Sequence, residues 1–179
     1  MEYIPGIDLR ELQRTLAIQR KGIPVRISMR ILAEVLDALE YAHSRIDVQG
    51  RPLNIVHRDV NPRNMMLSVR GEVKLIDFGV AKAENKLDKT VGHTLKGKFA
   101  YMAPEQFEGT TIDSRADLFA LGLVLHELAD GTRPFKGLTE FQIMHRILSA
   151  SIPALVGPRD HPNPELIHQI HQKALAKDP

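Results

Sequence analysis

The chain has 179 residues, of which 43% are hydrophobic and 26% are charged, so its composition is that of an ordinary globular protein with enough chain to bury one core. Its 24 Lys and Arg residues barely outnumber its 22 Asp and Glu residues, and a net charge of +2 gives no reason to expect nucleic acid or an anionic membrane as a partner. The lack of cysteine excludes disulfides and thiolate metal sites, and no apolar run reaches the roughly 18 residues of a membrane-spanning helix. We therefore expect a cytoplasmic protein without a membrane segment.

The first part of the chain predicts two amphipathic helices and a hairpin. Apolar residues recur at helical spacing from Leu9 to about Arg20, and again from Pro24 to His43. Residues 44–54 are polar and predict a loop. The segments Met65–Val69 and Val73–Ile76 then lie on either side of an Arg-Gly pair, a pattern that predicts two short antiparallel strands.

The second part predicts helices that follow one long loop. Residues 80–100 are rich in Lys, Gly and Thr, and loops of this length usually carry function or are disordered. The segment Leu118–Leu128 is apolar nearly all round and predicts a buried helix, with Asp113 or Ser114 as its cap and Gly131 at its end. Two further helices are predicted at Thr139–Ala150 and Pro164–Lys177. The predicted fold is mainly α-helical with a small β-hairpin.

Four motifs that carry chemistry follow one another in the loops between these elements. The triplet His57-Arg58-Asp59 is followed after four residues by Asn64, and Asp77-Phe78-Gly79 comes next, directly after a predicted strand. Ala103-Pro104-Glu105 closes the long loop, and Asp117 stands at the head of the buried helix. Each motif alone is weak, but this order and spacing is that of the catalytic and metal-binding loops of protein kinases.

On these motifs the chain resembles the eukaryotic-type (Hanks-type) serine/threonine protein kinases, and its long loop before His57 resembles bacterial members. The resemblance runs from Met1 to Pro179. It implies a partial kinase domain over residues 1–179, made of the hinge and the helical C-lobe, with an activation segment at 77–105. It also implies ATP, Mg²⁺ and a protein substrate as partners, and an N-lobe that this chain lacks. No nucleic acid partner is expected.

The resemblance assigns the chemistry of phosphoryl transfer to three side chains. Asp59 would accept and orient the proton of the substrate hydroxyl. Asn64 and Asp77 would supply the hard oxygen ligands that Mg²⁺ prefers. Phe78 would pack against His57 and so hold Asp77 in place.

It also assigns the nucleotide site. Met1 would be the gatekeeper, and the main chain of Glu2 and Ile4 would contact the adenine edge. Asp8 would contact the ribose, and Met66 would lie beneath the adenine ring.

Arg58 beside the catalytic carboxylate suggests control by phosphorylation, because a guanidinium binds phosphate bidentately and so can order a loop. Thr94 is the first candidate phosphosite and Thr90 the second. The rival interpretation is that both are solvated loop hydroxyls.

Two positions depart from the family pattern. Most serine/threonine kinases have Lys two residues after the catalytic Asp, where this chain has Asn61. The family usually has Thr or Ser after the glycine that matches Gly97, where this chain has Lys98. We expect the changes to compensate, with Lys98 reaching the phosphate and the Asn61 amide bonding to Asp59. The alternative is that Lys98 is a surface lysine and catalysis is impaired.

Three functional classes remain open at this stage. The chain can belong to an active serine/threonine kinase, to an interaction module or inactive remnant with a kinase fold, or to a small-molecule phosphotransferase. The Ala-Pro-Glu end of a long activation segment argues against the third class, because that segment docks a polypeptide. No glycine-rich loop or strand lysine is recognisable, so we expect the isolated chain to be inactive.

Overall fold

The computed structural model describes residues 3–78, 98–157 and 162–176. Within these ranges it contains six α-helices and one three-stranded antiparallel sheet, which confirms the mainly helical prediction. None of the described helices is long and apolar enough to cross a lipid bilayer. The strands are β1 (Gly6–Asp8), β2 (Met65–Ser68) and β3 (Val73–Leu75), and the helices are α1 (Leu9–Ile18), α2 (Val25–His43), α3 (Pro104–Glu108), α4 (Arg115–Asp130), α5 (Glu140–Leu148) and α6 (Pro164–Ala174).

The sheet contains the predicted hairpin and one strand that the sequence did not indicate. β2 pairs with β3, and on its other edge it pairs with β1 in the order β1-β2-β3. Gly6 makes this third strand possible, because a Cβ atom there would lie 2.0 Å from the carbonyl oxygen of Leu67. Any larger residue would push β1 off the sheet.

α1 and α2 form where the apolar periodicity placed them. α1 begins at Asp8, whose side chain accepts a hydrogen bond of 2.8 Å from the backbone N–H of Glu11 and so caps the helix. It ends at Ile18, two residues before the predicted end, and Arg20 has a positive φ of 55°. α2 ends at His43, as predicted.

The buried helix α4 lies at the centre of the molecule, packed against α2 and α6. Leu123 and Val124 are completely buried, as the nearly continuous apolar pattern predicts. Its start uses Asp113, whose carboxylate accepts from the backbone N–H of Arg115 at 2.9 Å, and its end is Gly131 with a φ of 68°.

Two corrections concern the remaining helices. The short helix α3 was not predicted, because five residues are too few to show a period. α5 and α6 are shorter than the predicted segments, since each ends in a 3₁₀-like final turn before the predicted end. α5 begins with Thr139 and Gln142 in a reciprocal capping box.

A buried pair of histidines joins α4 to α6. Nδ1 of His126 and Nε2 of His171 lie 3.0 Å apart, and His171 is only 4% exposed. One ring must donate and the other accept, so the contact needs at least one neutral ring. Burial and the neighbouring charge of His126 lower the pKa of His171 to about 4. Burial also lowers the pKa of His126, although the nearby charge of Asp130 acts to raise it.

We predict that this pair makes the fold acid-sensitive. An unfolded histidine titrates near pH 6.5, whereas His171 in the fold titrates near pH 4, so the contribution of the pair is complete above about pH 6.5 and is lost as the pH falls toward 4. Urea unfolding between pH 7.5 and 4.5 should show a loss on the order of 2 kcal/mol that is absent in His171→Gln. His145→Gln, at an exposed position of α5, is the matched control. Equal pH dependence in all three proteins would rule the mechanism out.

Candidate active site

The loop of residues 57–64 is held by one carboxylate of α4. Asp117, 1% exposed, accepts hydrogen bonds of 2.8 Å from the backbone N–H groups of His57 and Arg58, one on each oxygen. The ring Nε2 of His43, at the end of α2, lies 2.8 Å from one of the same oxygens. Arg58 has a φ of 63°, a conformation that costs energy in a residue other than glycine. Asp117 therefore holds the loop in a strained turn.

His57 joins this loop to the Asp77-Phe78 segment. Its Nε2 lies 3.0 Å from the carbonyl oxygen of Ile76, and its Nδ1 accepts from the backbone N–H of Asp59 at 3.3 Å. Both contacts are satisfied by one neutral tautomer, and burial lowers the pKa of His57. Its ring centroid lies 4.5 Å from that of Phe78, which confirms the predicted contact. His57 is thus a structural support in neutral form.

Asp59 lies two residues after His57 in this loop, and each of its carboxylate oxygens accepts a hydrogen bond. Oδ1 accepts from Nδ2 of Asn61 at 3.1 Å, which confirms the predicted contact between them. Oδ2 lies 2.6 Å from the ammonium of Lys98. The Asp59 side chain is 15% exposed and that of Lys98 is 40% exposed, so solvent or a ligand can reach this ion pair. Asp59 and Lys98 are 39 residues apart in the sequence.

Asn64 and Asp77 are brought together by backbone pairing. The N–H of Ile76 donates to the carbonyl oxygen of Asn64 at 2.9 Å, which places Asp77 one residue away from that contact. Asn64 donates its side-chain amide to the carbonyl oxygen of Asp59 at 2.8 Å, so its amide oxygen is the atom suited to bind a cation. Asp77 is exposed and has a φ of 59°.

These two side chains fit Mg²⁺ as a cation that keeps part of its hydration and shares ligands with a substrate. Mg²⁺ is commonly held by one or two protein oxygens together with phosphate oxygens and water. Within the described ranges there is no cluster of three or more His, Asp or Glu residues able to hold a metal by themselves. An amide oxygen and an exposed carboxylate are therefore suited to a metal that arrives with a phosphate ligand.

The residues assigned to the nucleotide lie on the sheet. Asp8 is paired with Met66, and Met66 with Lys74, so these three side chains share one face. Met65, the neighbour of Met66, is fully buried on the opposite face. Ile4 precedes β1 and is half-buried. The sequence missed one feature, which is that Asp8 also caps α1.

Four of the predicted site residues cannot be placed, and a fifth, Arg58, has no partner for its charge among the described residues. Met1, Glu2, Thr90 and Thr94 lie outside the described residues. The guanidinium of Arg58 makes no ion pair or hydrogen bond with the part of the chain that the structure describes.

The Ala-Pro-Glu turn is fastened to the loop of residues 57–64 by a residue that the sequence did not single out. Gln106 of α3 donates to the carbonyl oxygen of Arg58 at 3.0 Å and accepts from the backbone N–H of Ala103 at 2.9 Å. A single amide therefore holds the Ala-Pro-Glu turn against the loop that carries Asp59. Its position three residues after Ala103 is the available sequence signal, because a Gln in the first turn of a helix can accept from the N–H of the N-cap residue, as in one half of a capping box.

A second buried network holds Tyr101, which lies two residues before the Ala-Pro-Glu turn. Arg10 of α1 pairs with the carboxylate of Glu127 in α4 through both terminal nitrogens, one at 3.1 Å, and Tyr101 bonds to both side chains. Burial lowers the pKa of Arg10, but the bonds to Glu127 and Tyr101 outweigh it and leave the pKa raised. Burial, with the charge of Glu127, also raises the pKa of Tyr101 well above its usual range. No local pattern reveals this contact, which spans 117 residues.

A family model described as "Protein kinase domain" matches residues 1–179. The chain belongs to the protein kinase family. Relatives of this kinase chain include tyrosine-protein kinase MasK of Myxococcus xanthus, 39% identical, serine/threonine-protein kinase PrkC of Bacillus subtilis, 33% identical, and serine/threonine-protein kinase PknB of Mycobacterium tuberculosis, 32% identical.

Each of these alignments covers the whole of this kinase chain but 28%, 26% and 27% of the respective relative. The kinase chain thus spans about a quarter of the length of these relatives. Membership of the family confirms the resemblance to bacterial Hanks-type kinases, and it supports phosphoryl transfer to proteins. The names of the relatives divide between serine/threonine and tyrosine kinases, so they do not decide the acceptor hydroxyl.

Proposed function

We propose that this chain forms the catalytic part of a protein kinase that transfers the γ-phosphate of ATP to serine and threonine hydroxyls of proteins. The observation that supports it best is the group around Asp59. One carboxylate there contacts an amide donor and an ammonium, and its loop also supplies Asn64, which lies beside the Asp77 segment. Such a group provides a proton acceptor, a positive charge and oxygen ligands at one location.

The proposed division of labour follows from charge. Asp59, as carboxylate, accepts the proton of the attacking hydroxyl, so that the oxygen gains nucleophilicity as its bond to phosphorus forms. Asn61 holds the carboxylate in orientation through its 3.1 Å hydrogen bond. Asn64 and Asp77 would hold Mg²⁺, which would neutralise charge on the phosphates. The chain's own contribution is alignment and electrostatic stabilisation, which are the main terms in phosphoryl transfer.

For the nucleotide, we assign the adenine and ribose to the half-buried face of the sheet that carries Asp8, Met66 and Lys74. Met66 would lie beneath the adenine ring, and the second carboxylate oxygen of Asp8 would accept from a ribose hydroxyl while the first caps α1. Main-chain groups of Glu2 and Ile4 would bond to the adenine edge, with Met1 as gatekeeper. The shared face of Asp8 and Met66 supports this placement.

Lys98 supplies the positive charge that the family usually carries two residues after the catalytic aspartate. Its ammonium already lies 2.6 Å from Asp59, at the place where a transferred phosphoryl group would be approached by the substrate oxygen. A lysine on a flexible stem can contact both groups. This contact argues against a purely solvated lysine.

Regulation by phosphorylation is a further part of the proposal. The guanidinium of Arg58 has no partner among the described residues, and it belongs to the loop that Asp117 fixes. A phosphate on Thr94, or on Thr90, would give that guanidinium a bidentate partner and would order the segment 77–105.

The first test is transfer of labelled phosphate from ATP to peptides that differ only in a Ser, Thr or Tyr acceptor, with the full-length protein. We expect labelled phosphoserine and phosphothreonine, and a loss of at least about 10²-fold in kcat for Asp59→Asn, because removing the proton acceptor removes general-base catalysis. Asp113→Asn, at an exposed helix start, is the matched control.

The alternatives are separated by the same assay. Exclusive labelling of tyrosine would support the class named for the Myxococcus relative and would overturn the serine/threonine assignment. Absence of transfer in a protein that still binds partners through its helical body would favour an interaction module. Phosphorylation of a small molecule in place of every peptide would favour a small-molecule phosphotransferase.

The second test concerns the positive charge of Lys98, which stands in for the lysine that the family usually has two residues after the catalytic aspartate. Lys98→Met should lower kcat by about 10²-fold with a smaller change in KM, because the lost ammonium acts on charge that develops in the transition state. The double change Asn61→Lys with Lys98→Thr should restore most of the activity by returning the charge to the usual family position. Lys173→Met, on an exposed face of α6, controls for the loss of one lysine. Activity of Lys98→Met close to that of the unmodified protein would eliminate the compensation.

A further inference from the structure

A groove of about 460 Å³ lies between α1 and the segment that connects α4 to α5. Its floor includes Ala100, two residues after Lys98, and Glu127 of the buried network. We call it the basic groove, because five of its described lining residues are basic and Glu127 is the single acidic one among them. The basic residues are Arg10, Arg14, Lys21, Arg133 and Lys136.

The charge of the groove is not cancelled from within. Glu127 is already neutralised by Arg10, and the guanidinium of Arg133 approaches the same carboxylate at 3.7 Å. Arg14, Lys21 and Lys136 are exposed and form no ion pair with any described residue. The single carboxylate is therefore saturated by two guanidinium groups, and the remaining cations face solvent at the rim.

The groove lies close to the candidate active site along the chain, because its lining residue Ala100 is two residues after Lys98. Lys98 contacts Asp59, and the Cα atom of Ala100 can be no more than about 7.6 Å from that of Lys98, because successive Cα atoms are 3.8 Å apart. Tyr101, the next residue, is anchored by Arg10 and Glu127 beneath the groove. A peptide whose hydroxyl lies at Asp59 therefore enters the basic groove within a few residues.

We propose that the basic groove binds an acidic segment that flanks the phosphorylated residue in the substrate protein, a specificity that rests on the proposed kinase function. Charge complementarity identifies the occupant. The lining also contains apolar side chains, among them Leu16, Ile23 and Leu138, which suit the mixed surface of a peptide better than a free inorganic anion. A nucleic acid would need a longer basic surface than a groove of this size, in a chain whose net charge is only +2.

The test uses the full-length protein and peptides with one central serine. One set carries Glu and Asp on one side of the serine, a second carries them on the other side, and the controls replace them with Gln or Lys. We expect kcat/KM for one of the acidic peptides to exceed that for its Gln control by about tenfold at low salt, and this preference to decline at high salt.

Charge-reversal variants test whether the basic groove causes the preference for acidic peptides. Arg14→Glu and Lys136→Glu should each reduce several-fold the ratio of kcat/KM for the acidic peptide to kcat/KM for its Gln control. Lys173→Glu makes an equal change of charge at an exposed position of α6, and it should keep the preference for acidic peptides. If peptides are phosphorylated but kcat/KM is no higher for the acidic peptides than for the Gln controls, the proposal is overturned. It is also overturned if both groove variants keep the same ratio of kcat/KM.

Binding is measured separately by fluorescence anisotropy of the same labelled peptides, so that failure of the groove and failure of catalysis can be told apart. Tight binding of the acidic peptide that Lys136→Glu weakens supports the groove even if no peptide is phosphorylated, in which case the kinase function alone fails. Phosphorylation of every peptide without an acidic preference leaves the kinase function standing and rejects the groove. Stronger binding of a single-stranded oligonucleotide with the same charge as the peptide also rejects it.

Discussion

The arrangement of the site depends on a buried carboxylate that is satisfied by backbone donors. Asp117 receives the N–H groups of His57 and Arg58, and it also contacts the ring of His43. A buried carboxylate is costly unless it is hydrogen-bonded, and here its partners are the main chain of the loop that carries Asp59. The same interaction therefore stabilises the helix core and the loop of residues 57–64, and it holds the strained φ of Arg58.

From this anchor the remaining contacts extend outward in a chain. His57 connects the loop to Ile76 and Phe78, Gln106 connects it to the Ala-Pro-Glu turn, and Lys98 reaches Asp59 from the segment that precedes that turn. The network of Arg10, Glu127 and Tyr101 then holds the same segment against α1 and α4. Positive charge is thus found in two places, with the ammonium of Lys98 at the carboxylate of Asp59 and a cluster of cations in the basic groove.

The sequence predicted the parts of this structure that have a local signal. Apolar periodicity located the long helices, and the order and spacing of the motifs located Asp59, Asn64 and Asp77, which the fold brings onto adjacent segments. The family pattern also drew attention to Asn61 and Lys98, whose contacts with Asp59 the structure contains.

The missed features depend on distant partners or on very short segments. β1 has three residues, and its pairing depends on a close approach to Leu67 that only Gly6 permits. The partnership of Arg10 with Glu127 joins helices 117 residues apart, and no period in the chain records it. Asp117 could be noticed in the sequence as a charge at the head of an apolar helix, but its role follows only from where the loop lies.

Hydrogen exchange of the backbone amides of His57 and Arg58 tests most directly whether Asp117 holds the loop that carries Asp59. In the unmodified protein both amides should be protected, and Asp117→Asn should make them exchange about tenfold faster or more, because a carboxylate acceptor is replaced by a group with one fewer acceptor oxygen. Protection of Leu123 and Val124 in α4 should stay the same, which shows that the core is intact. Unchanged protection of the two loop amides in Asp117→Asn would contradict the account.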